Sequence, residues 1–103
     1  MKIYDNKIVY DILLNRIPTP TYQRIRREGE FYLATSAMNG DIVSLNDIAG
    51  TICTLCDGKK TIKEIYNELV IKYPEVEKVL IRFDLCKCIV ELESFNMLTV
   101  IKM

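Results

Sequence analysis

Apolar and polar positions follow two rhythms along this chain, and the rhythm changes near residue 46. Residues 22–28 alternate in part, with Ile25 between Arg24 and Arg26. Residues 31–37, Phe-Tyr-Leu-Ala-Thr-Ser-Ala, suit a pleated, half-buried surface. Residues 42–45 read as a third strand. Gly29 and Glu30 supply the first turn, and Asn39 with Gly40 supplies the positive φ angles of a tight hairpin. The simplest arrangement is a meander with the first and third strands at its edges.

After residue 46 the period becomes helical. A first helix is expected at 47–56, with Ile48, Ile52, Leu55 and Cys56 on one face. Asn46 is its N-cap, and Gly58 can take the left-handed conformation that closes a helix. Thr61 and Glu64 form a capping box. It opens a second helix at 62–72 that turns Ile62, Ile65, Tyr66 and Leu69 inward and ends before Pro74. A third helix runs from about 76 to about 95. Residues 1–17 remain open between a hairpin and a helical face built from Ile8, Val9, Ile12 and Leu13. Pro18 and Pro20 break either pattern and make an extended hinge. The expected organisation is an N-terminal arm at 1–20, a domain at 21–97 and an extended tail at 98–103.

The third helix carries two apolar stripes. At about 100° per residue, Val79, Phe83, Cys86 and Val90 share one side, and Ile81, Leu85, Cys88 and Leu92 lie nearly opposite. Asp84, Lys87 and Glu91 run along one seam; Lys78, Arg82 and Glu93 run along the other. A surface helix needs one apolar stripe. The second must face another layer of the domain, a second subunit or a ligand.

Composition narrows the functions. The 103 residues carry no net charge and the pI is near 6.3. This argues against a general nucleic-acid binder, whose affinity comes mainly from cations on phosphate. No apolar run approaches the roughly 18 residues of a membrane span, and Lys2, Tyr4 and Asp5 do not make a signal-peptide core. A cytoplasmic location with reduced thiols is the expectation. The chain has no His, the commonest general base, and no Gly-rich phosphate loop. Cys53 and Cys56, and Cys86 and Cys88, have the spacing of metal ligands. Both pairs fall within helices, however, and Cys86 and Cys88 point about 200° apart. Buried apolar thiols are the preferred reading, with no metal, no cofactor and no catalytic residue.

Several blocks occur in a specific order. Arg24-Ile25-Arg26 is followed by Leu45-Asn46 with Ala49 and Ile52, then Leu55-Cys56-Asp57-Gly58. Thr61-Ile62 and Glu64-Ile65 come next, then Leu69, Tyr73, Asp84-Leu85 and Leu92. Over about 22–93 the chain resembles the PqqD-like family, also called the RiPP recognition element. Where that family has a Gly before the last apolar pair, this chain has Asn96, Met97 and Leu98. The resemblance implies an α+β, winged-helix-like fold: a three-stranded antiparallel sheet followed by three helices. It implies a non-catalytic protein that binds the leader of a ribosomally made precursor peptide. The protein would present that leader to an enzyme acting in trans, a radical S-adenosylmethionine enzyme, a leader peptidase or a cyclase. In such domains the leader adds a strand to the edge of the third strand and packs against the third helix.

Those elements correspond to Asp41, Ile42, Val43, Ser44 and Leu45 and to helix three. Leu85, Ile89 and Leu92 match the family's core positions. The other stripe, Val79, Phe83, Cys86 and Val90, is then the expected groove wall, with Arg82 and Lys87 as flanking cations. The competing arrangement covers the same edge with the tail or the arm, since exposed edges are usually protected. A winged-helix DNA-binding regulator is the alternative function. It is disfavoured by a third helix that carries Glu75, Glu77, Asp84, Glu91 and Glu93 against Lys78, Arg82 and Lys87. A homodimer that uses the second stripe against itself is the third reading.

Overall fold

The computed structural model describes residues 7–36, 40–95 and 98–100. The chain is α+β, and its central layer is a three-stranded antiparallel sheet ordered β2-β3-β4. These strands are β2 (Tyr22–Glu28), β3 (Phe31–Ser36) and β4 (Ile42–Leu45). Gly29, at φ 61°, turns β2 into β3. Asn39 lies outside the described residues, and Gly40 has φ 77°. The register pairs Ile25 with Ala34 and Ala34 with Val43, so these three share one face. Arg27, Tyr32 and Leu45 are in register on that same face. Alternation places Arg24, Arg26, Leu33 and Ser44 on the other.

The helices follow as α2 (Asp47–Leu55), α3 (Ile62–Lys72) and α4 (Lys78–Ser94). Asn46 caps α2, its side chain accepting from the Ala49 N–H at 2.8 Å. The capping box of α3 is complete: Glu64 N–H donates to Thr61 Oγ1 at 3.2 Å, and Thr61 N–H donates to Glu64 Oε1 at 2.8 Å. The core forms where Ile52, Ile65, Leu69, Leu85 and Ile89 meet Ala34 and Leu45 of the sheet. Each full burial of such a side chain stabilises the fold by about 1.5–3 kcal/mol.

Residues before the sheet resolve the ambiguity at the N-terminus in favour of a helix, α1 (Lys7–Leu13). It packs on α4, and Tyr10 meets Tyr66 edge-on, with ring centroids 5.4 Å apart. Cys86 is 1% exposed on that side of α4. At Cys86 the second stripe of α4 therefore faces another layer of the same domain, while Val79 at its start is 49% exposed.

Strand β1 (Pro18–Pro20) pairs antiparallel with β5 (Leu98–Val100). The arm and the tail thus bind each other, and Leu98 is buried in the core. The arm also completes the start of α3. Ile62 N–H donates to the Arg16 carbonyl and Lys63 N–H to the Leu14 carbonyl, both at 2.9 Å. With Glu64 N–H on Thr61, the first-turn donors that a helix leaves open are satisfied. Gly58, at φ 79°, donates its N–H to the Pro18 carbonyl at 3.2 Å. Among the described residues, no helix is long and apolar enough to cross a membrane.

Candidate functional site

β4 is bonded to β3 on one side only. Ser36 N–H donates to the Asp41 carbonyl at 2.9 Å. Bonded pairs alternate along an antiparallel ladder. Val43, opposite Ala34, and Leu45, opposite Tyr32, therefore direct their backbone groups toward β3. The N–H and C=O groups of Ile42 and Ser44 point the other way, along the free edge. Among the described residues nothing pairs with that edge, because β5 is taken up by β1.

A cleft of about 250 Å³ lies beside it. Val43, Ser44, Leu45 and Asn46 form the strand wall, and Ile48, Ala49 and Ile52 of α2 form the floor. Asp84, Lys87, Cys88, Glu91, Leu92 and Phe95 form the opposite wall. Ligand pockets for whole small molecules usually start near 300 Å³, so this volume suits one or two side chains. The capping of α2 by Asn46 sets the geometry. The chain passes from β4 into α2 with no loop between them, so the first turn of the helix closes one end of the strand. Cys88 then approaches the Ala49 carbonyl at 3.9 Å and holds α4 close to α2.

The expected site residues separate into two groups. Val43, Ser44, Leu45 and Lys87 line the cleft. Ile42 contributes edge backbone and Asp41 contributes a carbonyl already bonded to Ser36. Val79, Arg82, Phe83, Cys86 and Val90, the expected groove wall, do not line this cleft. The reason is angular: Cys86 lies about 160° around α4 from Asp84 and about 140° from Glu91, on the side where α1 packs. Burial there raises the Tyr10 phenol, helped by Tyr66 and Cys86. The wall that does face β4 is the seam of Asp84, Lys87 and Glu91 with Cys88 and Leu92 beside it. That seam is visible in the helical period. Apolar positions flank it on both sides, so the period alone does not select it.

Burial pushes the thiols of Cys53 and Cys88 up to about 12 and that of Cys86 to about 11. Cys56 is raised as well, and its Sγ donates to the Ile52 carbonyl at 3.1 Å. All four are therefore neutral apolar groups near pH 7. Cys88 faces α2 and Cys86 faces α1, as their separation around the helix requires. Among the described residues no cluster of His, Cys, Asp and Glu could hold a metal ion.

Asp84 differs from the other charged groups. Its carboxyl is raised above the usual range because burial outweighs the opposing charge of Lys87.

The model of one protein family, described as coenzyme PQQ synthesis protein D (PqqD), matches residues 26–98. That segment contains the whole of β3, β4 and the three helices that follow the sheet. No curated protein and no solved structure matches the chain. With the sheet-then-helices order in the structure and the family model covering most of the chain, the protein belongs to the PqqD family.

Proposed function

We propose that this protein binds the leader segment of a ribosomally synthesised precursor peptide by strand addition at β4 and presents it to a modifying enzyme. The observation that carries this reading is the open edge at Ile42 and Ser44, set beside a cleft walled by α2 and α4. Membership of a family named for coenzyme PQQ synthesis supports a role as a non-catalytic accessory protein. An extended peptide can satisfy the free edge groups while its side chains enter the cleft.

Magnitudes show why both parts are needed. Each added backbone hydrogen bond contributes only about 0.5–1.5 kcal/mol net, and ordering a flexible leader costs about 2–5 kcal/mol. The ladder alone would barely offset the ordering. Apolar anchors on Ile48, Ala49, Cys88 and Leu92 supply the remainder, and micromolar affinity, near about −8 kcal/mol, is the expected result. The modifying enzyme, a radical S-adenosylmethionine enzyme in PQQ synthesis, would act on the peptide held in this way.

The test is a titration of the leader of the precursor peptide encoded beside this gene into isotopically labelled protein. Saturable amide shifts at Ile42, Ser44, Ala49 and Cys88 are expected. Saturable binding that moves α1 and the outer side of α4, with β4 unchanged, would overturn the strand-addition mode.

A further inference from the structure

The rim of the cleft specifies more than an apolar strand. Asp84, Cys88, Glu91 and Phe95 follow one another along nearly one line of α4, and all four line the cleft. Asp84 is half-buried, and its side chain makes no hydrogen bond or ion pair among the described residues. Lys87, one turn on, remains exposed and does not reach it as an ion pair. Glu91 is likewise without an ion-pair partner among the described residues. The last turn of α4 contains no basic residue, although that end of a helix carries partial negative charge and favours cations. The ring of Phe95 stands there 52% exposed, and an aromatic face attracts a cation.

The cleft therefore holds two carboxylates and one cation above an apolar floor. We infer that the peptide segment received beside β4 carries a lysine or arginine side chain that pairs with Asp84, next to an apolar side chain seated on Ala49, Cys88 and Leu92. This rests on the strand-addition reading and names the class of peptide it would accept.

Desolvation makes the selection. A peptide closing over the cleft removes water from a carboxylate that has no other donor. An apolar or acidic side chain at that level leaves Asp84 unsatisfied, a neutral donor satisfies it more weakly, and an ammonium or guanidinium satisfies it with a charge-assisted bond. Alternate residues of a strand face the same side about 6–7 Å apart. Asp84 and Cys88, four residues apart on the helix, are separated by a rise of about 6 Å. The basic and apolar side chains are therefore two residues apart in the peptide.

The test is a displayed library of unbiased short peptides selected on the full chain, with each enriched peptide then titrated into isotopically labelled protein. The expected peptides shift Ile42 and Ser44 and carry Lys or Arg two residues from Leu, Ile, Val or Phe. Asp84→Asn should weaken them about two- to fivefold, as a partly exposed charge pair implies. Changing the peptide's cation to Gln should cause the same loss, and the two changes together should cause no further loss. Asp84→Asn is nearly isosteric, and an unchanged melting temperature would confirm that the loss is local. Peptides that shift the β4 edge but carry no cation, or carry a carboxylate facing Lys87, would overturn this inference and leave strand addition standing. Enrichment of peptides that leave β4 unshifted would overturn both.

Discussion

The ring of Tyr32 on β3 occupies the space where a side chain on Gly50 would stand. A Cβ built at Gly50 collides with Cδ1 and Cγ of that ring. Gly50 is in the middle of α2 with ordinary helical backbone, so its role is close approach and not an unusual φ. The contact sets the distance between sheet and helix at the end of the cleft. Tyr32 is held in turn by Arg27, whose Nη1 donates to the Tyr32 hydroxyl at 3.2 Å and to Asp47 Oδ1 at 3.0 Å. The guanidinium also lies over the ring, 5.3 Å from its centroid.

Gly50→Ala tests this contact. Ala normally favours a helix interior over Gly by about 0.5–1 kcal/mol. Here the overpacking should dominate and destabilise the fold by about 1–3 kcal/mol. Chemical denaturation of the two proteins measures the difference. In a Tyr32→Ala background the same change should become neutral or stabilising, because the ring is gone. An equal loss in both backgrounds would show that the Gly50 and Tyr32 contact is not the cause.

The free edge predicts an asymmetry between neighbouring residues. Ser44→Pro removes an N–H that points away from β3, and edge strands accept Pro at such positions. The fold should survive while peptide binding falls about three- to tenfold, the value of one backbone hydrogen bond. Val43→Pro removes a donor in the β3 ladder and should unfold the sheet. Phe83→Ala, outside the cleft, should leave the affinity unchanged. Isothermal titration with melting curves separates these outcomes.

Acid stability should depend on Asp57. Its Oδ1 accepts from the N–H groups of Lys59 and Lys60 at 2.8 and 2.9 Å, and its Oδ2 pairs with Lys60 Nζ at 2.9 Å. These bonds, the Lys60 side chain foremost, hold the carboxyl far below its ordinary value near 3.8. A depressed folded value means the contribution is present above that ordinary value and is lost as pH falls through the folded one. Asp57→Asn should therefore flatten the loss of stability below about pH 4. Melting temperatures from about pH 7, where the carboxylate is ionised in both states, down to about pH 2, below its ordinary value, read the effect.

The cysteines should be inert in the folded protein. Their folded values lie above the ordinary 9.0, so the neutral thiols support folding below that value. The support is lost as pH rises above that ordinary value, because the unfolded chain ionises first, and the loss ends soonest at Cys86, whose folded value is about 11. Iodoacetamide at pH 8, about one unit below the ordinary thiol value, should leave the native protein unmodified and label all four sites in denaturant. Rapid labelling of Cys88 in the native state would mean that α4 opens away from α2.

The sequence by itself determined the elements and most of the core. Asn46, Thr61 with Glu64, and Gly29 state the ends of helices and strands locally, through caps and turns that need no distant partner. The same holds for the inward face of α3, where Ile62, Ile65 and Leu69 are buried as the period predicts; in α2 the sheet and α4 also bury Gly50, Thr51 and Cys53, off the predicted stripe. Leu85, Ile89 and Leu92 of α4 were legible as core through the period and the family resemblance. Which remaining side of α4 meets the strand edge was not legible. Two apolar stripes satisfy the same period equally well, and the choice depends on α1, a short helix distant in sequence that covers Cys86. The pairing of Pro18–Pro20 with Leu98–Val100 is of the same kind. It leaves the edge at Ile42 and Ser44 open, and it joins segments about 80 positions apart, with Thr19 opposite Thr99 and Pro18 opposite Val100. The Gly50 contact with Tyr32 also needed the tertiary structure, because a helix-interior glycine records its neighbour only once the sheet is packed against it. Local hydrogen bonding and periodicity write the elements into the sequence. Which faces and edges remain uncovered is decided by long-range packing, and this protein's candidate site consists of such an uncovered edge.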